Sequence, residues 1–310
     1  MSSEARASWS ASTIDSAQRA DWIGFLHRSP FVIDAFALGF SVGIREDYTY
    51  QQTPRNVDVP VQILDNDFRD PDINRYLQRF QQLEPNVAML GDAYSRDEGR
   101  EYSRTARELK ASFPDVEIII VPKCREAIDA IDEDLILGYP MGYSDKTADE
   151  YTNIVDWRGR RVHLLGASPP KQYQTIQELT QPRVTGEEPA DIVGVDWNGI
   201  HLAAQKGEFF HPDGYRTADH LSIRETVKRS LEQIRRYWRS AGVWPDQTTG
   251  ISPLKTEPMD PVWAVDGSHA DGRALEDAIV VEYEDGPTLA YRDDHERARI
   301  EYCEGLTPAE

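Results

Sequence analysis

The chain has 310 residues, which is long for one ordinary domain but normal for a (β/α)8 barrel with an appendage. Hydrophobic residues make up 39%, enough for a packed core, while 34 Lys and Arg against 54 Asp and Glu give a formal net charge of −20. The acidic residues are spread along the whole chain, whereas a disordered acidic tail would concentrate them. This spread indicates a halophilic protein kept soluble in high salt; the alternative is an ordinary acidic cytosolic protein.

Charge and cysteine content narrow the classes of function. A strongly acidic chain argues against nucleic acid, because phosphate contacts need Lys and Arg, but high salt screens the repulsion. Cys124 and Cys303 are too few for a four-ligand zinc site or a disulfide framework. The N-terminus has no apolar signal core and no run is long enough to span a membrane. We therefore expect a cytoplasmic protein without membrane contact.

Apolar runs alternate with amphipathic stretches from residue 30 onward, after a polar segment at residues 1–28. The runs predict seven buried strands, at residues 31–40, 59–68, 86–94, 115–123, 134–143, 161–168 and 191–198. Helices are predicted between them, at residues 70–83, 96–113, 124–131 and 170–180. Asp70 and Asp72 stand where a helix N-terminus favours acidic residues.

Continuous apolar strands that alternate with helices indicate a parallel sheet covered on both faces. No GxGxxG or GxxxxGK[ST] loop follows a strand, so an open nucleotide-binding sheet loses support. Polar or small residues end several strands, as in barrels with a functional mouth. We predict a (β/α)8 barrel at residues 29–244 with an appendage at 245–310; the eighth strand is not identified. In the appendage, residues 278–302 predict a hairpin around Asp285–Gly286, followed by a short helix or strand.

A long helix is predicted at residues 222–242, and it carries the densest basic stretch of the chain. Its basic residues are Lys228, Arg229, Arg235, Arg236 and Arg239. We expect this helix to face nucleic acid near the barrel mouth; the alternative is a solvated face with i,i+4 pairs to Glu225 and Glu232.

Carboxylates end three of the predicted strands, at Asp65 and Asp67, at Asp92 and at Asp196. On a barrel these ends converge on one mouth, although a helix N-cap is the common structural use of any single Asp at such a place. Trp197 is expected to pack outward against helices, and Asn198 is expected to point with Asp196 and orient it.

Small residues mark two other strand ends. Gly138 and Gly142 frame "GYPMGY", and Gly166 and Ser168 lie in "GAS". Such residues let a flat ligand lie on the backbone, while tight turns are the alternative.

No metal site or cofactor is predicted. His163 lies inside a strand and is interpreted as a satisfied core residue, and His201, His211 and His220 lack HxH or HExxH spacing. No GxSxG elbow exists. A barrel that carries only acids can still perform glycosyl chemistry, with one carboxylate attacking a sugar carbon while another moves protons.

The ordered set "VPVQILDNDF", "EPNVAMLGDAY", "DLILGYPMGY", "RVHLLGAS" and "DIVGVDWN" resembles the tRNA-guanine transglycosylase superfamily across residues 57–205. That family is a (β/α)8 barrel that exchanges guanine for a 7-deazaguanine base. Its tRNA-acting members carry a zinc site of three Cys and one His that this chain cannot build, and a basic RNA-binding surface that is not evident here. The chain is more similar to the DNA-acting branch, from phages, archaeal viruses and genomic islands, and the acidic composition suits a haloarchaeon or its virus. For a viral protein, the expected location is the host cytoplasm.

The resemblance implies a role for each matching residue. Asp196 resembles the nucleophile that attacks C1′ of deoxyribose, and Asp65 or Asp67 resembles the second aspartate, which handles protons. Asp92 resembles the aspartate that reads the base edge, Gly138 and Gly142 resemble backbone contacts to the base, and Lys123 is assigned to the same pocket. The implied partners are DNA and a free 7-deazaguanine base, and a homodimer is left open. The alternatives are a barrel glycoside or nucleoside hydrolase and a non-catalytic barrel that binds nucleic acid.

Overall fold

The computed structural model describes residues 19–27, 30–47, 60–142, 146–184 and 186–245, together with the backbone of two strands at residues 278–283 and 286–291. Within these residues eight parallel strands form a closed barrel in chain order, and β1 closes it by pairing with both β2 and β8. This confirms the predicted (β/α)8 barrel. The strands are β1 (Trp22–Leu26), β2 (Ser41–Arg45), β3 (Ile63–Asp65), β4 (Val87–Ala93), β5 (Glu117–Pro122), β6 (Ile136–Pro140), β7 (Arg161–Leu165) and β8 (Asp191–Asp196).

Helices surround the barrel, and local capping sets where several of them begin. They are α1 (Phe31–Ala37), α2 (Ile73–Leu83), α3 (Arg96–Ser112), α4 (Arg125–Ile128), α5 (Pro169–Thr180), α6 (Ile200–Gln205) and α7 (Ile223–Ser240). The Asp72 carboxylate accepts from the N–H groups of Asn74 and Arg75 to start α2, and Ser222 forms a capping box with Glu225 to start α7. Two 3-10 turns, Ala148–Glu150 and Ile154–Trp157, lie between β6 and β7.

The amino-terminal part of the barrel differs from the prediction in two ways. The apolar run at residues 31–40 is mostly the helix α1, because this helix packs between β2 and α7 and is buried on nearly all sides. A helix that is buried on all sides has no polar face. Its sequence then lacks the helical spacing of apolar and polar residues that would distinguish it from a buried strand. The first barrel strand is β1. It lies within residues 1–28, which were predicted to be a polar segment that is not part of the barrel.

Two apolar clusters fill the molecule. One lies inside the barrel and is built from Trp22, Leu26, Ile63, Val87, Met89, Ile119, Ile136 and Val193. The other lies between the strands and the surrounding helices, and it includes Trp157, Trp238 and Phe210. Because the barrel interior is packed, a functional site is expected at the carboxyl ends of the strands, which form the mouth.

Two antiparallel strand pairs accompany the barrel. The first, β9 (Glu208–Phe209) and β10 (Arg216–Thr217), precedes α7. The second, β11 (Ala278–Tyr283) and β12 (Gly286–Tyr291), confirms the hairpin predicted around Asp285–Gly286. The helix or strand predicted after it lies outside the described residues. None of the described helices is both long and apolar enough to cross a membrane.

Candidate active site

Three of the predicted carboxylates come together at the mouth. Burial raises the pKa of the Asp65 carboxyl well above its ordinary value, and the negative charge of Asp196 raises it further. Asp92 adds to this effect, while the backbone N–H of Asn66 and the charge of Arg45 oppose it. Asp65 therefore holds its proton to higher pH than an ordinary aspartate, beside a second carboxylate.

A β-bulge turns Asp92 into the mouth. In the pairing of β4 with β5, Met89 lies opposite Ile119 but Gly91 lies opposite Ile120, so one extra residue is inserted. Gly91 faces outward at φ +151°, where a Cβ would lie 2.6 Å from the Tyr102 hydroxyl of α3. The next residue, Asp92, consequently faces the interior, as bulges at barrel rims commonly re-aim one side chain.

A second bulge does the same for Asp196. His163 of β7 lies opposite Gly194 of β8, which leaves Val193 as the extra residue. Both Val193 and Gly194 face the interior, where a Cβ on Gly194 would lie 2.6 Å from His163 Nδ1 and would overlap the Trp22 indole. Val195 then packs in the outer cluster and Asp196 faces inward. Without the bulge the alternation would direct Asp196 to the helices.

Two residues hydrogen-bond the Asp196 carboxylate, and a third residue holds one of them. His163 Nε2 lies 3.0 Å from Asp196 Oδ2, and the Gly166 N–H donates to Asp196 Oδ1 at 3.3 Å. On the other side of the imidazole, the Trp22 indole N–H donates to His163 Nδ1 at 3.1 Å. The interpretation of His163 as a buried, satisfied residue is confirmed, but its partner is the candidate nucleophile, which the sequence did not predict. Asn198 does not orient Asp196 as expected, because its amide oxygen accepts from the Leu26 N–H at 2.9 Å.

The conformation of the turn after β7 explains why that strand is followed by small residues. Gly166 and Ala167 both have positive φ, at 77° and 60°, and the left-handed Ala167 costs on the order of 1–3 kcal/mol. This turn presents the Gly166 N–H to Asp196. Gln172 of α5 holds it in place by donating to the carbonyls of Gly166 and Asp196, at 2.7 Å and 2.6 Å. Ser168 is the N-cap residue of α5, with no side-chain cap hydrogen bond.

Asp92 is paired with Lys123, so the structure brings these two predicted pocket residues together. Lys123 Nζ lies 3.2 Å from Asp92 Oδ2, and the lysine side chain is only 1% exposed. The hydroxyl of Tyr94, an exposed side chain, donates to the same Asp92 oxygen at 3.4 Å. The arrangement places an acceptor and a donor side by side at the mouth.

The structure distinguishes between Asp65 and Asp67. Asp67 Oδ1 accepts from the Arg69 N–H, and its carboxylate lies 3.9 Å from Arg45 Nε and 3.9 Å from an Arg75 nitrogen. Asp67 therefore belongs to a cluster of ion pairs, whereas Asp65 interacts with Asp196 and Asp92. Of the two, Asp65 is the carboxylate that lies beside Asp196 and Asp92.

The two glycines of "GYPMGY" differ in their surroundings. A Cβ on Gly138 would lie 2.7 Å from Val121 Cγ2 and 2.9 Å from Leu165 Cδ1, so these side chains occupy the space expected for a flat ligand. Gly138 is thus a packing residue inside the barrel, which corrects the prediction of a ligand contact there. Gly142 is exposed with φ +109°, a turn conformation that favours glycine.

The basic helix is correctly predicted as α7, but its last turns lie away from the mouth. The carbonyl of Val243, just after α7, accepts from the N–H of Ala20, just before the amino end of β1. Arg235, Arg236 and Arg239 therefore lie toward the opposite end of the barrel from Asp196, which corrects their expected position. Arg235 stacks on the Trp244 ring at 5.8 Å, and Arg229, earlier in the helix, stacks on Phe209 at 5.1 Å. Glu225, one of the residues considered for an i,i+4 pair, forms the capping box with Ser222.

Two further observations concern predicted residues. Trp197 packs in the outer cluster, edge-to-face with Phe210 at 5.2 Å, which confirms that it points outward. Among the described residues no group of three or more His, Cys, Asp or Glu side chains has an arrangement that could hold a metal ion.

The close packing around Gly194 gives a first prediction. Gly194→Ala should lower the free energy of unfolding by roughly 1–3 kcal/mol, because its methyl group would overlap Trp22 and His163. Trp22→Phe removes the colliding indole atoms, so the double variant should lose less stability than the sum of the single variants. Urea unfolding of the four proteins measures this coupling. Strict additivity would mean that the collision does not involve the indole.

Comparisons with known proteins place the chain in a family. Residues 35–239 match DUF6610, described as a family of unknown function. The chain belongs to this family. No curated protein matches the chain. Among solved structures, the YdjI aldolase from Escherichia coli K12 is similar, with a TM-score of 0.42 and 14% identity over 73% of this chain and 92% of that chain. A likeness this distant carries no argument about the reaction of the DUF6610 protein.

Proposed function

We propose that this DUF6610 protein is a glycosyltransferase that exchanges guanine in DNA for a 7-deazaguanine base through a covalent aspartyl-deoxyribose intermediate. The observation that carries the proposal is the pairing of Asp196 with Asp65, whose pKa is raised by burial and by the charge of Asp196. A carboxylic acid that keeps its proton to higher pH, beside a second carboxyl group at one barrel mouth, suits an acid next to a nucleophile.

In the first half-reaction, an oxygen of Asp196 bonds to C1′ as the bond from C1′ to guanine N9 breaks. The departing base takes a proton from Asp65, which becomes a carboxylate. The oxocarbenium character of C1′ during this step is stabilised by the nearby Asp196 charge. The N–H groups of His163 and Gly166 donate to the two oxygens of Asp196 and hold the carboxylate in place for attack.

In the second half-reaction, N9 of a 7-deazaguanine base attacks C1′ and gives its proton to Asp65. The C1′–Asp196 bond breaks, so both carboxylates return to their starting states. Asp92 is suited to accept hydrogen bonds from the N–H groups on the edge of a guanine-like base. Lys123 holds the Asp92 carboxylate through their 3.2 Å ion pair.

The identity of the substrate rests on the resemblance to the DNA-acting transglycosylases. Because stacking in a duplex hides C1′ from in-line attack, the reacting guanosine must be flipped out or single-stranded. We therefore propose single-stranded or locally opened DNA as the partner and a free 7-deazaguanine base as the second substrate, without a cofactor.

The test is incubation of the purified protein with guanine-containing single-stranded DNA and a radiolabelled 7-deazaguanine base. Base exchange predicts label in the DNA and an equal amount of free guanine. Release of guanine without incorporation would instead indicate a nucleoside hydrolase, in which water replaces the incoming base. Absence of both products under conditions where DNA binds would indicate a non-catalytic nucleic-acid-binding barrel.

A further inference from the structure

A buried chain of hydrogen bonds inside the barrel ends on Asp196. It consists of Trp22 of β1, His163 of β7 and Asp196 of β8, and we refer to it as the Trp22–His163–Asp196 relay. The donor–acceptor distances are 3.1 Å from Trp22 Nε1 to His163 Nδ1 and 3.0 Å from His163 Nε2 to Asp196 Oδ2. Trp22 and His163 are both 0% exposed, so water does not compete for these bonds.

The first bond of the relay determines which imidazole nitrogen carries the proton. An indole N–H can only donate, so the Nδ1 atom that faces it must present a lone pair. In a neutral imidazole the proton is then on Nε2, the atom that faces the Asp196 carboxylate. In the other tautomer, an imidazole N–H would face the indole N–H at Nδ1, and an imidazole lone pair would face the carboxylate oxygen at Nε2. Both places are buried, where an unmade hydrogen bond is costly.

The packing of the barrel preserves this geometry. The Trp22 and His163 rings are inclined by only 23°, with centroids 5.7 Å apart, and Gly194 leaves the space that both rings need. On the other side, β6 places Gly138 opposite His163 and so adds no charge beside the imidazole. Arg161, one layer lower on β7, is paired with Glu117 by two hydrogen bonds of 2.8 Å.

We propose that Trp22 and His163 are positioning residues: Trp22 fixes the tautomer of His163, and the His163 Nε2–H holds one oxygen of Asp196 in the orientation for attack. The catalytic consequence rests on the proposed function, whereas the tautomer does not. His163 neither gives nor takes a proton. Its N–H remains bonded to the carbonyl oxygen of the aspartyl ester and stabilises the Asp196 carboxylate as it departs in the second half-reaction.

The tautomer is tested by nitrogen-15 NMR of the full-length protein labelled at histidine, near neutral pH. The His163 resonances are assigned by their loss in a His163→Gln variant. We expect an unprotonated Nδ1 and a protonated Nε2 in the wild-type protein. In Trp22→Phe, which removes the indole N–H, only Asp196 still favours the Nε2–H form, so we expect a larger fraction of His163 with a proton on Nδ1 than in the wild-type protein. A proton on Nδ1 in the wild-type protein would overturn the proposal.

Kinetics of base exchange supply the second readout. Trp22→Phe should lower kcat by about 10²-fold, the scale of a small misplacement of a reacting group, with little change in KM. Trp157→Phe is the matched control: this indole is also fully buried and donates one hydrogen bond, to Thr152 Oγ1 at 2.8 Å, but it packs on Tyr139 outside the barrel. The control should keep the wild-type kcat and tautomer.

Two substitutions of His163 separate positioning from packing. His163→Gln retains an N–H donor and should keep more activity than His163→Leu, which retains only bulk. Equal losses in the two variants, or a Trp22→Phe variant with wild-type kcat and tautomer, would overturn the proposal. Wild-type protein with the expected tautomer but no base exchange would support the relay and count against the proposed function alone.

Discussion

Asp196→Asn should lower base exchange by about 10⁶-fold, the scale seen when an enzyme loses its nucleophile. An amide nitrogen cannot replace the carboxylate oxygen that bonds to C1′, and a neutral side chain cannot stabilise positive charge there. The measurement is incorporation of labelled 7-deazaguanine into DNA by the variant and by the wild-type protein.

The same substitution should destabilise the fold only modestly, by about 1 kcal/mol, because one hydrogen bond to the side chain is lost. His163 Nε2–H and Gly166 N–H donate to the two oxygens of Asp196, whereas an Asn side chain offers one oxygen. The Gly166 N–H keeps a partner, since it also donates to the Asp196 backbone carbonyl at 3.2 Å. Asp191→Asn is the matched control, since Asp191 is the exposed residue at the other end of β8. The control should retain activity, and a variant Asp196→Asn that kept most of the wild-type rate would move the nucleophile to another carboxylate.

Asp65→Asn should lower base exchange by about 10²–10⁴-fold while making the protein more stable at neutral pH. The activity falls because the amide cannot give a proton to the departing base. The stability rises because an ionised Asp65 is opposed by burial and by the charge of Asp196, and the amide removes that opposition. Such an exchange of stability for activity is common at catalytic carboxylates.

The stabilisation should depend on pH in a defined direction. A pKa raised in the folded state means that the wild-type protein loses stability as pH rises from the unfolded pKa of about 3.9 through the folded pKa. Asp65→Asn lacks that loss. The excess of its free energy of unfolding over that of the wild-type protein should therefore be absent in acid and largest above the folded pKa of Asp65. Thermal unfolding across pH measures it. Asp67→Asn is the control, because it weakens ion pairs with Arg45 and Arg75 and should be no more stable than the wild-type protein. A pH-independent difference for Asp65→Asn would contradict the raised pKa.

The barrel was predictable from β3 onward because each later strand is a short apolar run flanked by polar helices. The amino-terminal part of the barrel was not predictable, because α1 is buried between β2 and α7 and its apolar run carries no helical period. β1 is only five residues long and follows a polar segment, so its sequence "WIGFL" gave a weak signal. Its role becomes visible only when it pairs with β8 to close the barrel.

The candidate site was predictable where strand ends carry carboxylates, at Asp65, Asp92 and Asp196. The sequence did not reveal His163 and Trp22 as partners of Asp196, because the bulge at Val193 sets which side chains of β7 and β8 meet. Gly194, the residue next to that bulge, was the one available signal. The basic residues at the end of α7 were misplaced because charge density alone does not tell which end of a barrel a helix turn occupies.

The central claim is that Asp196 forms a covalent bond to deoxyribose, and trapping that adduct tests it most directly. The wild-type protein is incubated with guanine-containing single-stranded DNA without an incoming base, denatured, digested with protease and nuclease, and analysed by peptide mass spectrometry. The account predicts a deoxyribose-linked adduct on the peptide that contains Asp196, and its absence in Asp196→Asn. An adduct on a different carboxylate, or full base exchange with no adduct at any time point, would contradict it.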